Sequence, residues 1–458
     1  MKRRLVLGIC ALVGLALLIA GCSWLGVQSL GPKSLVEGED YILSFSKLPK
    51  DVVADIEAAG GVVNRVLEEI DAVLVTATDP GFVDGVAGLG GLNEVIFDAS
   101  VRWLPDQEAI EADPEHIGSD EGYFDLFQWS MLAVDAPGAW DAGYTGEGAR
   151  VVVMDTGIDA FHPDLAPNLN TAISRDYTGE AVPVGYPDFQ DLHWHGSHVA
   201  GIIAAADGGG HVIGIAPDAE LVAFKVLAAS GSGDFDWLIE ALYDAVEIEA
   251  DVVNMSLGAY MDKGGFYDED GVWVTAQEVA EFLNLLKKAI NYADKNGVTV
   301  VASAGNDGLN GQGDSGLLHI PSDLGAAICV SATGPLGWWD DPTTNLDEFA
   351  FYSNYGPQID FAGPGGNLDD NLPWPFPAAY DLVFSCRTFG GYGWAAGTSQ
   401  AAPHVAGVAA LIIGKNGGDM KPQHVLRDLR RSADDLGKPG QDVYYGHGRV
   451  NAAQAVAP

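Results

Sequence analysis

One stretch limits the possible folds more than any other: Gly397-Thr398-Ser399-Gln400-Ala401-Ala402-Pro403-His404-Val405-Ala406-Gly407. A glycine-marked turn runs straight into a helix with almost no side-chain bulk at Ala401, Ala402, Ala406, Gly407, Ala409 and Ala410. Such a helix can pack close against neighbours on all sides. Pro403 falls near its start, where a missing N–H costs least. Ser399 would stand where free N–H groups and the positive end of the helix dipole gather, which suits a nucleophile whose attack creates an oxyanion. A lone serine in such a turn is as a rule an N-cap, so chemistry at Ser399 requires a base and an orienting acid elsewhere.

The second half of the chain supplies the layers. Arg150 to Met154 is a near-continuous apolar run, the mark of a strand covered on both faces. Further strands are predicted at Glu220 to Leu227, Asp251 to Ser256, Val298 to Ser303 and Ala327 to Ala332. Helices at Phe235 to Glu247 and Gln277 to Asn296 lie between them. This alternation predicts a three-layer α/β domain with a mostly parallel sheet. Asp155 ends the first strand at its carboxyl edge, where open α/β sheets collect ligands and catalytic groups. His195-Gly196-Ser197-His198 opens another helix. An acid, a histidine and a serine thus follow one another as Asp155, His195 and Ser399, an order that fits one known arrangement of the acid–base–nucleophile triad. His193, His195 and His198 lack the spacing of a His-Glu-x-x-His zinc site.

The first half is organised differently. Met1-Lys2-Arg3-Arg4 and the apolar run Leu5 to Ala20 have the flanks of a signal peptide and are short for a spanning helix. The run ends Leu18-Ile19-Ala20-Gly21-Cys22, which resembles the lipobox of bacterial lipoprotein signals, so residues 1–21 are expected to be removed and Cys22 lipidated. The alternative is an ordinary signal peptide with an incidental cysteine; both imply export. Residues 22–38 read as a tether. Residues 39–104 follow the order βαββαβ, a small α+β ferredoxin-like unit whose last strand is expected at Glu94 to Trp103. Residues 105–127 are acidic and aperiodic, an exposed linker, and 128–458 form the layered domain. The chain carries 23 Lys+Arg against 64 Asp+Glu, net −41, a field that repels nucleic acid and anionic lipid head groups. Cys329 and Cys386 remain for the folded part, where export would permit a bridge without requiring one.

The wording of these blocks goes further than their order. Asp155 to Leu165 resembles the aspartate block of the subtilisin-like serine peptidases, the subtilases. His195 to Gly201 is similar to their histidine block, with Ser197 where Thr is usual. Gly397 to Gly407 is similar to their serine block, with Gln400 where Met is common. Asn254 to Gly258 and Ser303 to Asn306 resemble the substrate-binding strand and the oxyanion-hole loop, and Gly446 to Ala452 the closing segment. The resemblance covers about Gln128 to Val456; residues 40–104 are similar, more weakly, to the family's inhibitory propeptide.

The resemblance implies a serine endopeptidase acting on proteins or peptides and made as a self-processed precursor, with its own propeptide as a partner. Ser399 is then the nucleophile, His195 the base, Asp155 its orienting acid and Asn306 the oxyanion donor; catalysis needs no cofactor. Ser256, Leu257 and Gly258 would pair with an extended peptide, and together with Ala304 and Gly305 wall a specificity pocket whose small residues leave room for a large apolar side chain. Asp164, Ala206, Gly210 and Val212 correspond to a structural calcium site, although Asp207 and three glycines replace the family's amides there. Two segments, Ala259 to Gln277 and Gly365 to Trp394, look longer than the family pattern and read either as a substrate rim or as plain surface loops. A protease fold that binds peptides without cutting them, and a lipoprotein scaffold, are the competing readings.

Overall fold

Strands with apolar side chains on both faces must be roofed on both faces, and the chain does this twice, on two scales. The computed structural model describes residues 38–105, 109–111, 127–208, 211–311, 316–368 and 372–458. The expected signal peptide, Cys22, the tether, most of the linker and Gly210 lie outside them.

The N-terminal unit runs β1 (Glu39–Phe45), α1 (Val52–Ala58), β2 (Gly61–Leu67), β3 (Ala72–Ala77), α2 (Phe82–Val86) and β4 (Leu92–Phe97). Its four-stranded antiparallel sheet has the order β2-β3-β1-β4. Alternation along the strands sends Leu43, Phe45, Val73 and Val75 to one face, where Val52 and Ile56 of α1 and Phe82 and Val86 of α2 bury them. Ile42, Leu74 and Ile96 point to the other face and join the core of the larger domain.

The expected last strand is two strands. β4 ends at Phe97, and after Asp98 and Ala99 a separate strand β5 (Ser100–Arg102) leaves the sheet altogether. It pairs antiparallel with residues 232–234 of the layered domain, Ser232 opposite Arg102. A short β6 (Ile110–Glu111) docks on another part of that domain.

The layered domain is built on an eight-stranded sheet. Its strands include β7 (Arg150–Asp155), β8 (Arg175–Asp176), β9 (Glu220–Lys225), β10 (Val252–Met255), β11 (Thr299–Ser303), β12 (Ile328–Gly334) and β13 (Phe361–Pro364). Neighbouring pairs are parallel, except for a short antiparallel edge strand, Glu348–Phe349, on β12. Helices α3 (Phe235–Glu247) and α4 (Ala276–Lys295) cover one face. Thr275 closes a capping box with Glu278 at the start of α4. Helices α5 (His195–Ala204) and α6 (Thr398–Lys415) cover the other.

Every residue of α6 from Thr398 to Ile413 is buried, as its small side chains require. Pro403 stands inside this helix and not at its margin. Its missing N–H leaves the carbonyl of Ser399, four residues back, without its helical donor. The Ser256 hydroxyl supplies that bond, at 2.7 Å. A helix fault is thereby converted into a tie between two parts of the site.

The two long segments are ordered where described. Ala259–Asp262 pairs with Leu317–Ile320, and Gly265–Tyr267 forms a hairpin with Trp273–Thr275. The Glu269 N–H donates to Ser100 O at 3.1 Å, so this arm reaches β5. The second segment holds the hairpin Val383–Arg387 with Gly391–Ala395, and the Ser385 hydroxyl donates to His198 O of α5 at 2.8 Å. Cys329 and Cys386 are both buried free thiols.

Candidate active site

Three elements deliver the three residues. β7 ends in Asp155, α5 begins with His195, and α6 carries Ser399 in its first turn. His195 Nδ1 lies 2.8 and 3.0 Å from the two Asp155 oxygens. An ionised carboxylate can only accept, so Nδ1 carries the proton and Nε2 is left with its lone pair. Asp155 Oδ1 also accepts the Thr156 N–H at 2.7 Å, which fixes the carboxylate before the imidazole is added. The Ser399 hydroxyl donates to Ser256 O at 3.0 Å, and His195 Nε2 has no hydrogen-bond partner among the described residues. Nucleophile and base are therefore not hydrogen-bonded to each other at rest.

The orientation of His195 rests on a residue that sequence reasoning missed. Asp191 is fully buried and accepts five bonds: from Thr156 Oγ1, His193 N, Trp194 N, Ser197 N and Ser197 Oγ, at 2.7 to 3.0 Å. It caps the start of α5 and ties it to the loop after β7. Ser197 keeps what a threonine would supply, because its hydroxyl accepts from Asp159 N at 2.9 Å while donating to Asp191. Trp194, just before His195, adopts φ +124°, a region costly for any residue with a side chain, by about 1–3 kcal/mol. Its ring is buried edge-on to His195 at 5.4 Å. An acidic residue four positions before the histidine was the available signal, but only the folded loop shows what it binds.

Asn306 is held by its oxygen. Oδ1 accepts from Thr398 N at 2.8 Å and from Thr398 Oγ1 at 2.9 Å, and Thr398 Oγ1 accepts from Gly305 N at 3.0 Å. With the amide oxygen committed, the amide NH₂ is turned away from Thr398. The Ser399 N–H, in the first turn of α6, is the other donor such a site offers to a developing anion. Gln400 is buried, and its amide has no partner among the described residues, so the polar side chain beside Ser399 is uncompensated there.

The chain's own residues occupy the cleft. Trp103 and Leu104 donate their N–H groups to Gly231 O at 2.9 and 3.1 Å, and Gly258 N donates to Trp103 O at 3.0 Å. The Trp103 ring is fully buried, 6.4 Å from Phe235, with Nε1 donating to Gly233 O at 2.9 Å. Leu257 belongs to the same apolar cluster. Of the stretch Ser256 to Gly258, Gly258 thus bonds to an extended segment of the same chain. The slot expected between Gly258 and Gly305 is narrowed by His319, whose ring lies against both glycines.

Asp164 is fully buried beside Ala206 and Val212, the calcium positions that can be described. Its carboxylate accepts the N–H groups of His211 and Val212 at 3.1 to 3.2 Å, and its carbonyl accepts Ala206 N at 2.8 Å. A hard cation wants oxygens turned inward, whereas this loop turns N–H groups toward the carboxylate. The donor set seen among the described residues closes on itself and does not fit a calcium ion. His162, Asp164 and Cys386 approach one another nearby, but both His162 nitrogens are engaged, by Asp164 N and Gly391 O.

Comparison with known proteins places this arrangement. Residues 146–448 match the model of the Subtilase family. The chain is 30% identical over 440 residues to Subtilisin J of Geobacillus stearothermophilus, covering 94% of this chain and 93% of that protein. It is 35% identical over 362 residues to the M-protease of Shouchella clausii, with 78% of each chain covered. Among solved structures, a lanthipeptide protease aligns with TM-score 0.60 at 30% identity over 74% of this chain and 99% of that one. The epidermin leader peptide processing serine protease of Staphylococcus aureus aligns with TM-score 0.71 at 21% identity over 91% of this chain and 97% of that one, a likeness of fold.

Proposed function

Because the chain belongs to the subtilase family and is a subtilisin-like serine endopeptidase, we propose that Ser399, His195, Asp155 and Asn306 carry its chemistry. We further propose that it is made as an exported, self-inhibited precursor. The observation that supports the first part best is the Asp155–His195 pair, with Thr156 N–H bonded to Asp155 and Asp191 holding the start of the helix that carries His195.

Ser399 Oγ turns from the Ser256 carbonyl to His195 Nε2, gives up its proton there and attacks the carbonyl carbon of the scissile bond. The C–O bond forms as the carbonyl π pair moves to oxygen, where Asn306 Nδ2–H and Ser399 N–H meet the charge. The tetrahedral species collapses, the C–N bond breaks, and the imidazolium returns its proton to the leaving amine. Water then repeats the sequence on the acyl-enzyme. Asp155 steadies the imidazolium throughout without taking the proton. Fluorophosphonate labelling tests this reading: wild type is expected to label at Ser399, and Ser399→Ala not at all. An unlabelled wild-type protein that binds peptides would favour the non-cleaving alternative.

Residues 39–104 act, on this reading, as the inhibitory propeptide, 105–127 as the linker with the processing site and 128–458 as the catalytic unit. The support is that residues 100–105 lie along the cleft as a substrate would. Pro105 disfavours a cut directly after Leu104, which puts processing further on. No helix among the described residues is long and apolar enough to cross a membrane; the proposed attachment is the lipid on Cys22. Cleavage in the linker would leave the propeptide with the lipid and free the enzyme from it. Membrane fractionation tests this: Ser399→Ala is expected full-length and membrane-held, and wild type shorter and at least partly soluble. Calcium is not supported as a structural ion by the bonding around Asp164.

A further inference from the structure

His319 comes from Leu317–Ile320, a strand at the cleft's edge paired with Ala259–Asp262. Its ring runs between Gly258 and Gly305, the two walls of the pocket that faces Ser399. A Cβ on Gly258 would collide with ring atoms Cε1 and Nε2, and a Cβ on Gly305 would come within 2.8 Å of Cδ2 and 2.9 Å of Nε2. The glycines therefore do not leave an empty slot. They leave the space that an imidazole occupies.

The ring is locked there. Nδ1 bonds to Ser322 Oγ at 2.8 Å, and the backbone N–H of His319 donates to Asp323 Oδ2 at 2.9 Å. The Tyr260 ring packs on it at 4.9 Å, and the Tyr260 hydroxyl accepts from Asn354 Nδ2 at 2.8 Å. Asn354 Nδ2 in turn donates to Ala304 O at 2.8 Å, so the plug is tied to the pocket wall itself. Burial lowers the imidazole to about 4, which makes it a neutral wall at neutral pH. The cavity that remains, about 210 Å³, opens along the cleft segment Arg102 to Pro105 toward Ser399.

We propose that His319 sets the specificity of this peptidase by plugging the pocket for the side chain before the scissile bond, restricting that position to small residues such as Gly, Ala and Ser. The proposal rests on Ser399 being the nucleophile, since the pocket is defined by its distance from that residue. A pocket wall rejects a side chain by steric exclusion, and even a single methylene changes transition-state binding by about 10–200-fold. A benzyl group against a locked imidazole exceeds that.

The test uses peptides identical except for Ala, Ser, Leu or Phe before the scissile bond, with the cut bond identified by mass and rates divided by fluorophosphonate-titrated sites. Wild type is expected to favour Ala over Phe by about 100-fold or more in kcat/KM, and His319→Gly to shift that ratio toward Phe by about 100-fold. Wild type that cuts after Phe or Leu as readily as after Ala overturns the proposal. So does a labelled His319→Gly enzyme with an unchanged ratio. If His319→Gly does not fold, the wild-type series decides alone, with His319→Ala expected to shift the ratio in the same direction. Failure of wild type to label with fluorophosphonate would instead overturn the assignment of Ser399 itself.

Discussion

The proposed catalytic machinery and the contact with the N-terminal unit are held by opposite means. Around His195 the ties are buried and end on backbone: Asp155 and Asp191 are fully buried carboxylates satisfied by N–H and hydroxyl donors. Losing one donor there leaves a buried carboxylate short of a hydrogen bond, at a cost of about 1–3 kcal/mol. Between the units, one face of the four-stranded sheet packs Ile42, Leu74 and Ile96 on α3 and α4, and the rim is ionic. Arg65 reaches Asp244 and Glu247 at 2.6 Å and Glu240 at 3.3 Å. Partly exposed pairs of this kind are worth little each. One set of contacts is buried and satisfied by the chain's own donors, the other is an apolar face with an ionic rim.

The largest expected effect isolates the first set. Ser399→Ala should lower peptide hydrolysis by about 10⁶-fold, a scale taken from measurements on subtilisin itself. It should leave the chain uncut on a denaturing gel, with both sets of contacts intact. Asn306→Ala should cost about 10²–10³ in kcat, again a magnitude known from subtilisin. Thr398→Ala removes one of the two bonds that hold Asn306 and should cost less, at most the roughly 10²-fold of a misplaced catalytic group, with KM nearly unchanged in both.

The second set should respond to pH. Asp236 N–H donates to Asp98 Oδ1 across the interface at 3.0 Å, and the two carboxyls face each other beside Asp40, Asp234 and Glu240. Burial first, and then neighbouring carboxylates such as Asp40, Asp234 and Glu240, push Asp98 well up, Asp236 to about 7 and Asp234 to about 6, although the Asp98 bond lowers Asp236. An acid with a raised folded pKa binds more protons folded than unfolded. The interface is therefore most stable below the ordinary carboxylate value near 4 and loses that stability as pH rises toward 7. Melting of uncut Ser399→Ala between pH 5 and 8 should fall by about 3 °C more than that of the double variant with Asp236→Asn. An identical pH profile in the two would break the contrast. The smallest effect should come from EDTA, which is expected to shift melting by less than about 1 °C. Asp164→Ala should lower it by several degrees, because the N–H groups of His211 and Val212 lose their acceptor. A large EDTA shift would restore a bound cation.

The sequence made the sheet and the proposed triad legible because each depends on local pattern. Arg150 to Met154 shows its burial on both faces, and Asp155, His195 and Ser399 sit in blocks whose neighbours serve the same turn or helix start. What escaped depends on partners brought in from a distance. His319 lies thirteen residues past Asn306 and enters the pocket only through the pairing of its strand with Ala259–Asp262. The five donors of Asp191 come from two loops and a helix. The end of the N-terminal unit differs from expectation because Glu94 to Trp103 is strand-like throughout, and nothing in it says that Ser100 will pair outside its own sheet. Pro403 reads as a residue of the helix margin because the bond it lacks is replaced by Ser256, more than a hundred residues away.

The docking of β5 and β6 has a consequence for timing. Ser100–Arg102 pairs with Ser232–Asp234, and Ile110–Glu111 pairs with Gly393 and Trp394. A chain cut between these strands has both new ends already hydrogen-bonded to the enzyme. Hydrolysis is then first order and indifferent to protein concentration, whereas appearance of activity waits on dissociation of two strand ladders and a sheet face. Bond cleavage and the onset of turnover become separate clocks, with a lag between them whose length is set by the off-rate of the cut segment and not by the speed of Ser399.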